Sequence, residues 1–503
     1  MEALLIIIVL LWGSRIVSNI LTYTQLWWVK EYRWDRMIIH LRTRQGKRIF
    51  WPEHRRPPIT PKSTLIVLFH LIFFGLIMFI NSWPILLRLT VADLMSFPMS
   101  WIFVGIVNAP VRLYHRHLIA KAVDKLRRHR PMVVIGVTGS FGKTTTKEYV
   151  STILSSKFTV LKTEASRNSP VGIAEVILKS LMPEHEVFVV EMGAYKKGEI
   201  AEMTTMVRPQ IGIITAINEQ HQDLFGSIET TMKAKYELIE GIAGKNIAVM
   251  NLDDARVREM ASWAKREGKE VWGYISQKSK VSAKGGPAYG QKSQKSDIAD
   301  VLFVGTDINA SFEGIEFTCV SGDTAVRVKA PVIGTHQVGN ILCAIAGAVA
   351  AGMTLEEAAM AASSIRPNVK SLGTIPGING SISINDTFNN SPDSAIAALD
   401  ILAWGKRKKM LVFQPMIELG AYAGTRHTDV GAYAARMCDE IILTNRNFYE
   451  DFMKGVRAGR SSVQVQVLSS DKAAAFLQET LRDGDTVLFK GKESERVLRE
   501  VKR

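Results

Sequence analysis

Apolar residues change their spacing near residue 130, and the change divides the chain in two. Before it they come in long runs. Leu65 to Leu87 is apolar apart from His70, Asn81 and Ser82, and is long enough to cross a bilayer as a helix. Ala3 to Trp12 is too short to span alone, but continuing past Arg15 to Trp27 and Trp28 gives a spanning length that ends in an interfacial aromatic pair. The start, Met1-Glu2, lacks the basic region of a cleaved signal, and no small-residue cleavage site follows. Val91 to Val107 is apolar but carries Asp93 and Pro98, which suits a broken spanning helix, a re-entrant segment or an interfacial one. A third crossing is the preferred reading.

From Met132 onward, short β-branched runs alternate with amphipathic helical stretches, as a mainly parallel α/β sheet requires. Buried strands are predicted at Val133–Val137, Val187–Glu191, Ile211–Thr215 and Ile247–Asn251. Helices follow at Val338–Ala351 and Thr354–Ile365, then strands at Ser381–Ile384, Met410–Phe413, Glu440–Leu443 and Thr486–Phe489. Ser276 to Asp297, rich in Lys, Ser, Gly and Gln, has little to bury and reads as a surface loop. Arg366-Pro367-Asn368 marks a domain boundary, because proline ends helices and restricts the residue before it.

Charge sharpens the membrane reading. Of the net +15, the stretches Trp28–Lys62 and Val111–Arg130 supply +13. Both flank apolar segments, as loops on the cytoplasmic side do, which places the N-terminus outside, the remainder after about Arg112 in the cytoplasm, and nucleic acid outside the expected partners. Cys319, Cys343 and Cys438 lie far apart with no CxxC, so neither a zinc site nor a disulfide framework is expected.

The chemistry begins at Val133 to Glu148, which reads as a buried strand, a glycine turn and a helix start. Gly139 and Gly142 let backbone N–H groups approach phosphate oxygens, with Ser140 between them, and the helix N-terminus adds a positive dipole end. Lys143 would neutralise the β- and γ-phosphates of ATP, and the hydroxyls of Thr144 and Thr145 open the helix, Thr144 as a Mg²⁺ ligand. The spacing departs from GxxxxGK[ST], since Val137 stands where the first glycine would. The expected architecture is a membrane segment of two or three helices over 1–112 and a basic linker over 113–130. A central P-loop-type domain with a mainly parallel sheet follows over 131–367, then a smaller Rossmann-like α/β domain over 368–503.

The form Thr138-Gly139-Ser140-Phe141-Gly142-Lys143-Thr144-Thr145-Thr146-Lys147 resembles the Mur ligase superfamily, most closely its branch that adds D-Ala-D-Ala. Further signposts recur in order. They are Arg167-Asn168-Ser169-Pro170-Val171-Gly172, Glu191-Met192-Gly193-Ala194, Gly198-Glu199-Ile200, His221 with Phe225-Gly226-Ser227, Lys233-Ala234-Lys235, Asn251-Leu252-Asp253-Asp254, Gly334-Thr335-His336 with Asn340, Asp386-Thr387-Phe388-Asn389-Asn390-Ser391-Pro392-Asp393-Ser394, and Glu418-Leu419-Gly420 with His427. The resemblance implies that Glu191 and His221 join Thr144 in holding two Mg²⁺ ions. It makes Lys235 a lysine carbamylated by CO₂, and places Asn251, Asn340 and Asp386 on the nucleotide. Asn168, Ser169, Asn389, Asn390 and Ser394 fall near the substrates, and Lys143, His221 and Lys235 become the catalytic set. Ordinary alternatives stand beside these roles: a surface His, a helix-surface Lys, and turn chemistry for the Asn and Asp residues.

The implied activity is ATP-dependent amide formation. A peptide carboxylate of a cell-wall precursor is activated as an acyl phosphate and joined to D-Ala-D-Ala or a similar amine, with membrane lipid as a further partner. Two departures stand out. Lys370-Ser371-Leu372 lacks an adenine-stacking Arg, and Gln414-Pro415-Met416 lacks a carboxylate. The soluble domain that holds the uridine nucleotide in this family is replaced by the membrane segment. A Mur-type ligase for another polymer, or a nucleotide-binding scaffold without turnover, are the competing readings.

Overall fold

The structure, a computed structural model, describes residues 2–42, 55–129, 131–164, 167–218, 225, 227–276, 301–366, 372–388, 390–417, 419–459 and 462–502. It divides into two compact units, Met1–Ala120 and Lys121–Arg503.

The first unit is helical: α1 Glu2–Val29, α2 Trp34–Arg42, α3 Pro61–Met78 and the first part of α4, which runs Ile85–Arg128. Among the described residues three of these, α1, α3 and α4, are long and apolar enough to cross a membrane. Two expectations change in detail. The run Leu65–Leu87 is not one helix, because α3 stops at Met78 and Asn81-Ser82-Trp83-Pro84 turns the chain. Arg88 closes that turn, donating to the carbonyls of Met78 and Trp83 at 2.7 Å each. Val91–Val107, conversely, is unbroken, since α4 continues through both Pro98 and Pro110 and on through most of the stretch expected as a linker.

Polar residues inside these helices bond one another, as a low-dielectric surrounding demands. Asp93 of α4 accepts from Trp12 Nε1 at 3.2 Å, Arg15 Nε at 3.0 Å and Asn19 Nδ2 at 2.9 Å, all on α1. His70 is buried and its ring nitrogens bond the carbonyls of Ile66 and Ser96. Leu4, Leu10, Leu68, Leu76, Ile102 and Ile106 are turned outward.

The second unit holds two sheets. The first comprises β1 Val133–Thr138, β2 Val160–Lys162, β3 Val187–Glu191, β4 Ile211–Ile214, β5 Ile247–Asn251, β6 Glu270–Ser276, β7 Val301–Ala310, β8 Ile315–Ser321 and β9 Thr324–Ala330. Their order is 2-3-1-4-5-6-7-8-9, parallel from β2 to β7 and antiparallel beyond. Its helices are α5 Lys143–Leu154, α6 Pro170–Ser180, α7 Glu199–Val207, α8 Ile228–Glu240, α9 Ala255–Arg266, α10 Gln337–Ala351 and α11 Leu355–Ala361. Apolar nearly all round, α10 is buried between the sheet and α5, and Gly347 lets it approach Ile213 and Val150.

The second sheet comprises β10 Gly373–Pro376, β11 Ile382–Asp386, β12 Lys409–Phe413, β13 Glu440–Leu443, β14 Gln464–Val467 and β15 Thr486–Lys490. Its order is 10-11-15-12-13-14, with only β10 antiparallel among the described strands. With it come α12 Pro392–Leu402, α13 Ala423–Met437, α14 Tyr449–Gly459, α15 Ser470–Thr480 and α16 Ser494–Val501. The sequence pattern does not announce β2, β6 to β10 or β14. The expected loop beyond Ser276, and Pro367-Asn368 at the expected boundary, lie outside the described residues. All three cysteines are free and buried, and no disulfide forms.

Replacing Asp93 with Ala removes three polar contacts worth about 0.6–1.7 kcal/mol each in a membrane setting, so a loss of about 2–4 kcal/mol is expected. Unfolding of the full chain in mixed micelles measures it, and a loss below about 0.5 kcal/mol would show that the cluster does not hold α1 to α4.

Candidate active site

The glycine loop leaves the carboxyl end of β1, where α/β sheets bind ligands. Gly139 has φ +147°, and a Cβ there would lie 2.1 Å from Thr215 Oγ1. Gly142 has φ +82° and precedes α5 directly. The end of β4 braces the loop. Ser140 N donates to Ala216 O at 2.6 Å, and Thr215 Oγ1 donates to Phe141 O at 2.5 Å. Lys143 folds back over the turn and donates to Ser140 O at 3.1 Å. Burial pushes its pKa down, and the nearby Glu191 carboxylate opposes that shift. Thr144 and Thr145 are half-buried in the first turn of α5.

Glu191 ends β3, level with Val137 on the neighbouring β1. Its side chain is buried, with Oε1 accepting from Asn168 Nδ2 at 3.1 Å. Its Oε2 has no hydrogen-bond donor among the described residues, though the Lys147 ammonium stands 3.5 Å away. A buried carboxylate oxygen left open beside a phosphate loop suits a divalent cation, so the donor set present fits Mg²⁺. Asn168, expected near substrate, is thus found orienting Glu191, and its carbonyl also accepts from Gly193 N at 2.8 Å. Ser169 caps α6, accepting from Gly172 N at 3.3 Å.

Lys235, on α8, is buried, 3.5 Å from Ala194 O and 5.7 Å from the Phe225 ring. Burial first, and then the charge of Lys143, lower its pKa to about 7, while Glu199, Glu237 and Glu191 act in the other direction. The repulsion from Lys143 ties Lys235 electrostatically to the phosphate loop. Asn340, in the first turn of α10, sits with Oδ1 3.0 Å from where a Gly142 Cβ would be, beside the phosphate loop. Its amide donates to Gln337 Oε1 at 2.9 Å.

Beside Phe141 opens a cavity of about 500 Å³, lined among others by Ala216, Asn218, Asn251, Arg256 and Asp393. Asn251 lies there, but its side chain accepts from Asp253 N at 3.0 Å, a local turn bond. Asp254 caps α9 and accepts from Ile217 N at 2.9 Å. Across the cavity mouth Asn218 Nδ2 donates to Asp393 Oδ2 at 3.0 Å, joining the first sheet's loop to α12.

The remaining expected residues are occupied elsewhere or lie outside the description. Asp386 is buried against Lys490, 2.5 Å away on the adjoining strand. Burial raises its pKa and the lysine opposes that. Ser394 is buried in the cap of α12, accepting from Ser391 N at 3.0 Å and donating to Ser391 O at 2.9 Å, which accounts for it structurally. Asn390 donates to Gln414 O at 2.5 Å and keeps a buried Oδ1 with no partner among the described residues. His427 is buried, accepting from Met416 N and stacked on Phe448. His221, Asn389, Gly226, Lys370, Ser371 and Glu418 lie outside the described residues. Lys147 escaped the sequence reading although it directly follows Thr144-Thr145-Thr146, because nothing local shows that a lysine is buried.

A strand, a glycine loop on a helix N-terminus and an adjoining open carboxylate define a nucleotide-binding α/β enzyme. Residues 137–348 match the family model of the Mur ligase middle domain, and 373–493 that of the Mur ligase glutamate ligase domain. The chain is 30% identical over 374 residues to the UDP-N-acetylmuramoyl-tripeptide--D-alanyl-D-alanine ligase of Synechocystis, covering 73% of each protein. To the Escherichia coli ligase of the same name it is 29% identical, covering 61% of this chain and 63% of that one. The crystal structure of MurF from Acinetobacter baumannii superposes with a TM-score of 0.66 at 25% identity, over 77% of this chain and 80% of that one. The chain belongs to the Mur ligase family, and it is an ATP-dependent ligase of the MurF type.

Gly139→Ala forces a side chain into Thr215 at a left-handed backbone angle. Strain of about 1–3 kcal/mol predicts a loss of ADP affinity of about tenfold or more. Gly322→Ala, at φ +58° with no atom within 4 Å of its Cβ, is strained but should bind ADP normally. Equal losses in calorimetric titrations of both would deny the loop its role.

Proposed function

We propose that the chain activates a peptide carboxylate of a muramyl-peptide cell-wall precursor and joins it to D-Ala-D-Ala or a similar amine, at the cytoplasmic face of a membrane. The observation that carries the chemistry is the open Glu191 oxygen beside Lys143 and the glycine loop. The substrates in the names of the relatives support the choice of precursor and amine.

In this reading the substrate carboxylate attacks the γ-phosphorus as the bond to ADP breaks. The amine nitrogen then attacks the acyl carbon, phosphate leaves, and the amine gives up a proton. Lys143 would hold the phosphates, Thr144, Glu191 and His221 would hold Mg²⁺, and Asn340 with Asn251 would serve the adenosine. The substrate roles would fall to Asn168 and Ser169, and those at the amine to Asn389, Asn390 and Ser394. Bound Mg²⁺ would supply charge neutralisation on the transferring oxygens. The α1, α3 and α4 helices support membrane residence, and the basic flanks support a cytoplasmic catalytic half. A lipid-linked precursor is the variant that these helices favour over a uridine-nucleotide one.

The test offers the full chain in detergent ATP, Mg²⁺, D-Ala-D-Ala, and either UDP-muramyl tripeptide or its lipid-linked form, and reads phosphate release. Turnover is expected with one of them, and Lys143→Ala should lower it by about 10²–10³. No phosphate above background with any acceptor would favour the scaffold reading.

Lys235 supports a carbamate, because an uncharged amine can attack CO₂, forming an N–C bond and releasing one proton. With its pKa near 7 instead of 10.5, the amine is charged below that pH and free above it. The burial penalty on folding is therefore full below about pH 7 and relieved as pH rises toward about 10.5. Labelling with ¹³CO₂ should give a carbamate resonance that grows as pH rises through 7 and is missing from Lys235→Arg. Equal signals in both would sink the assignment.

A further inference from the structure

Lys147 is fully buried, yet its ammonium makes no hydrogen bond of good geometry among the described residues. Two carboxylates face it instead: Glu148 Oε1 at 3.1 Å and Glu191 Oε2 at 3.5 Å. Glu148 in turn is held by Lys162 at 2.5 Å, while the other oxygen of Glu191 is held by Asn168. The four charges form a file, Lys162–Glu148–Lys147–Glu191, that starts at the half-exposed end of β2 and stops at the phosphate loop. Glu191 Oε2 is the only oxygen of the two carboxylates that lacks a hydrogen-bond donor among the described residues and also borders that loop.

A buried carboxylate with no counter-charge is costly, so something must compensate Glu191 when no metal is bound. We propose that Lys147 is a positioning residue that serves as this stand-in counter-charge. It keeps the Glu191 carboxylate in place in the metal-free enzyme and competes with Mg²⁺ for Oε2, so that tight metal binding waits for nucleotide. Glu148 sets how strongly it competes, by drawing the ammonium toward the other side. The inference rests on Glu191 being a metal ligand and adds a residue to that site.

The experiment follows fluorescent ADP binding to the full chain in detergent as a function of Mg²⁺, together with melting temperature with and without Mg²⁺ and ADP. Lys147→Met has nearly the same length but no charge. It should lower the Mg²⁺ concentration for half-saturation by about tenfold, the scale of one unit charge a few ångströms from a dication. It should also lower the melting temperature of the metal-free protein more than that of the Mg²⁺-ADP complex. Lys147→Arg should stay within about twofold of wild type, because the charge remains. Glu148→Gln should raise the half-saturation point, but only where Lys147 is present. If Lys147→Met does not fold, Glu148→Gln alone and paired with Lys147→Arg still carries the comparison. An unchanged half-saturation point in Lys147→Met, or an equal effect of Glu148→Gln in its background, would overturn the proposal. Glu191→Gln separates the two levels. If it keeps the full Mg²⁺ response, the metal-ligand reading itself fails. If it loses the response while Lys147→Met is silent, only the role of Lys147 fails.

Discussion

Burying the Glu191 carboxylate at the carboxyl edge of a parallel sheet is the constraint around which the nucleotide-binding half is arranged. The residue is 2% exposed, and a charge taken that far from water must be met by donors or cations. Asn168 meets one oxygen, and it can do so because Gly193 has no side chain where the amide lies. The other oxygen looks across to Lys147 and, electrostatically, to Lys143 and Lys235. Three lysines and one open oxygen then form a place where an anion bearing a divalent cation completes the charge balance. The glycine loop supplies backbone donors at the same spot, so nucleotide recognition and charge compensation are one arrangement.

Asp386 shows the contrary case within the same unit. It too ends a parallel strand and is buried, but Lys490 is directly opposite in register and pairs with its Oδ2. Burial alone would raise its pKa, and the lysine works against that rise. The pair joins β11 to β15 at the middle of the second sheet, and from there the chain passes to the capped start of α12. That cap fixes Asp393, which reaches Asn218 across the cavity beside the phosphate loop. The second sheet therefore reaches the cavity through a helix start.

Short-range signals were legible in the sequence and long-range ones were not. Gly139, Gly142 and Lys143 could be read because a turn, a dipole and a charge are all set within a few residues. The parallel strands around them could be read as apolar runs. The pairing of Asp386 could not be read because its partner lies 104 residues further on. The cap formed by Ser394 could not be read because Asn-Asn-Ser-Pro-Asp-Ser encodes a helix cap as well as it encodes a ligand loop. Lys147 shows no sign of burial in its neighbours, and the strands β8 and β9 lack the apolar runs of the buried parallel ones. The Leu65–Leu87 run misled for a related reason: hydropathy averages over a turn, whereas Asn81 and Pro84 end the helix regardless of the average.

The membrane-class helices obey the same rule of counting open oxygens. Trp12, Arg15 and Asn19 stand at i, i+3 and i+7, one face of α1, and all three donate to Asp93. Turning α1 by one residue, about 100°, would carry every one of these donors away from the carboxylate together. The cluster therefore specifies which face of α1 meets α4. With both oxygens of Asp93 bonded, nothing is left over for a ligand. A charged residue inside an apolar helix long enough to span a membrane is by default a candidate for transport or catalysis; here the bonded carboxylate accounts for itself by packing, whereas Glu191 keeps an oxygen without a donor among the described residues.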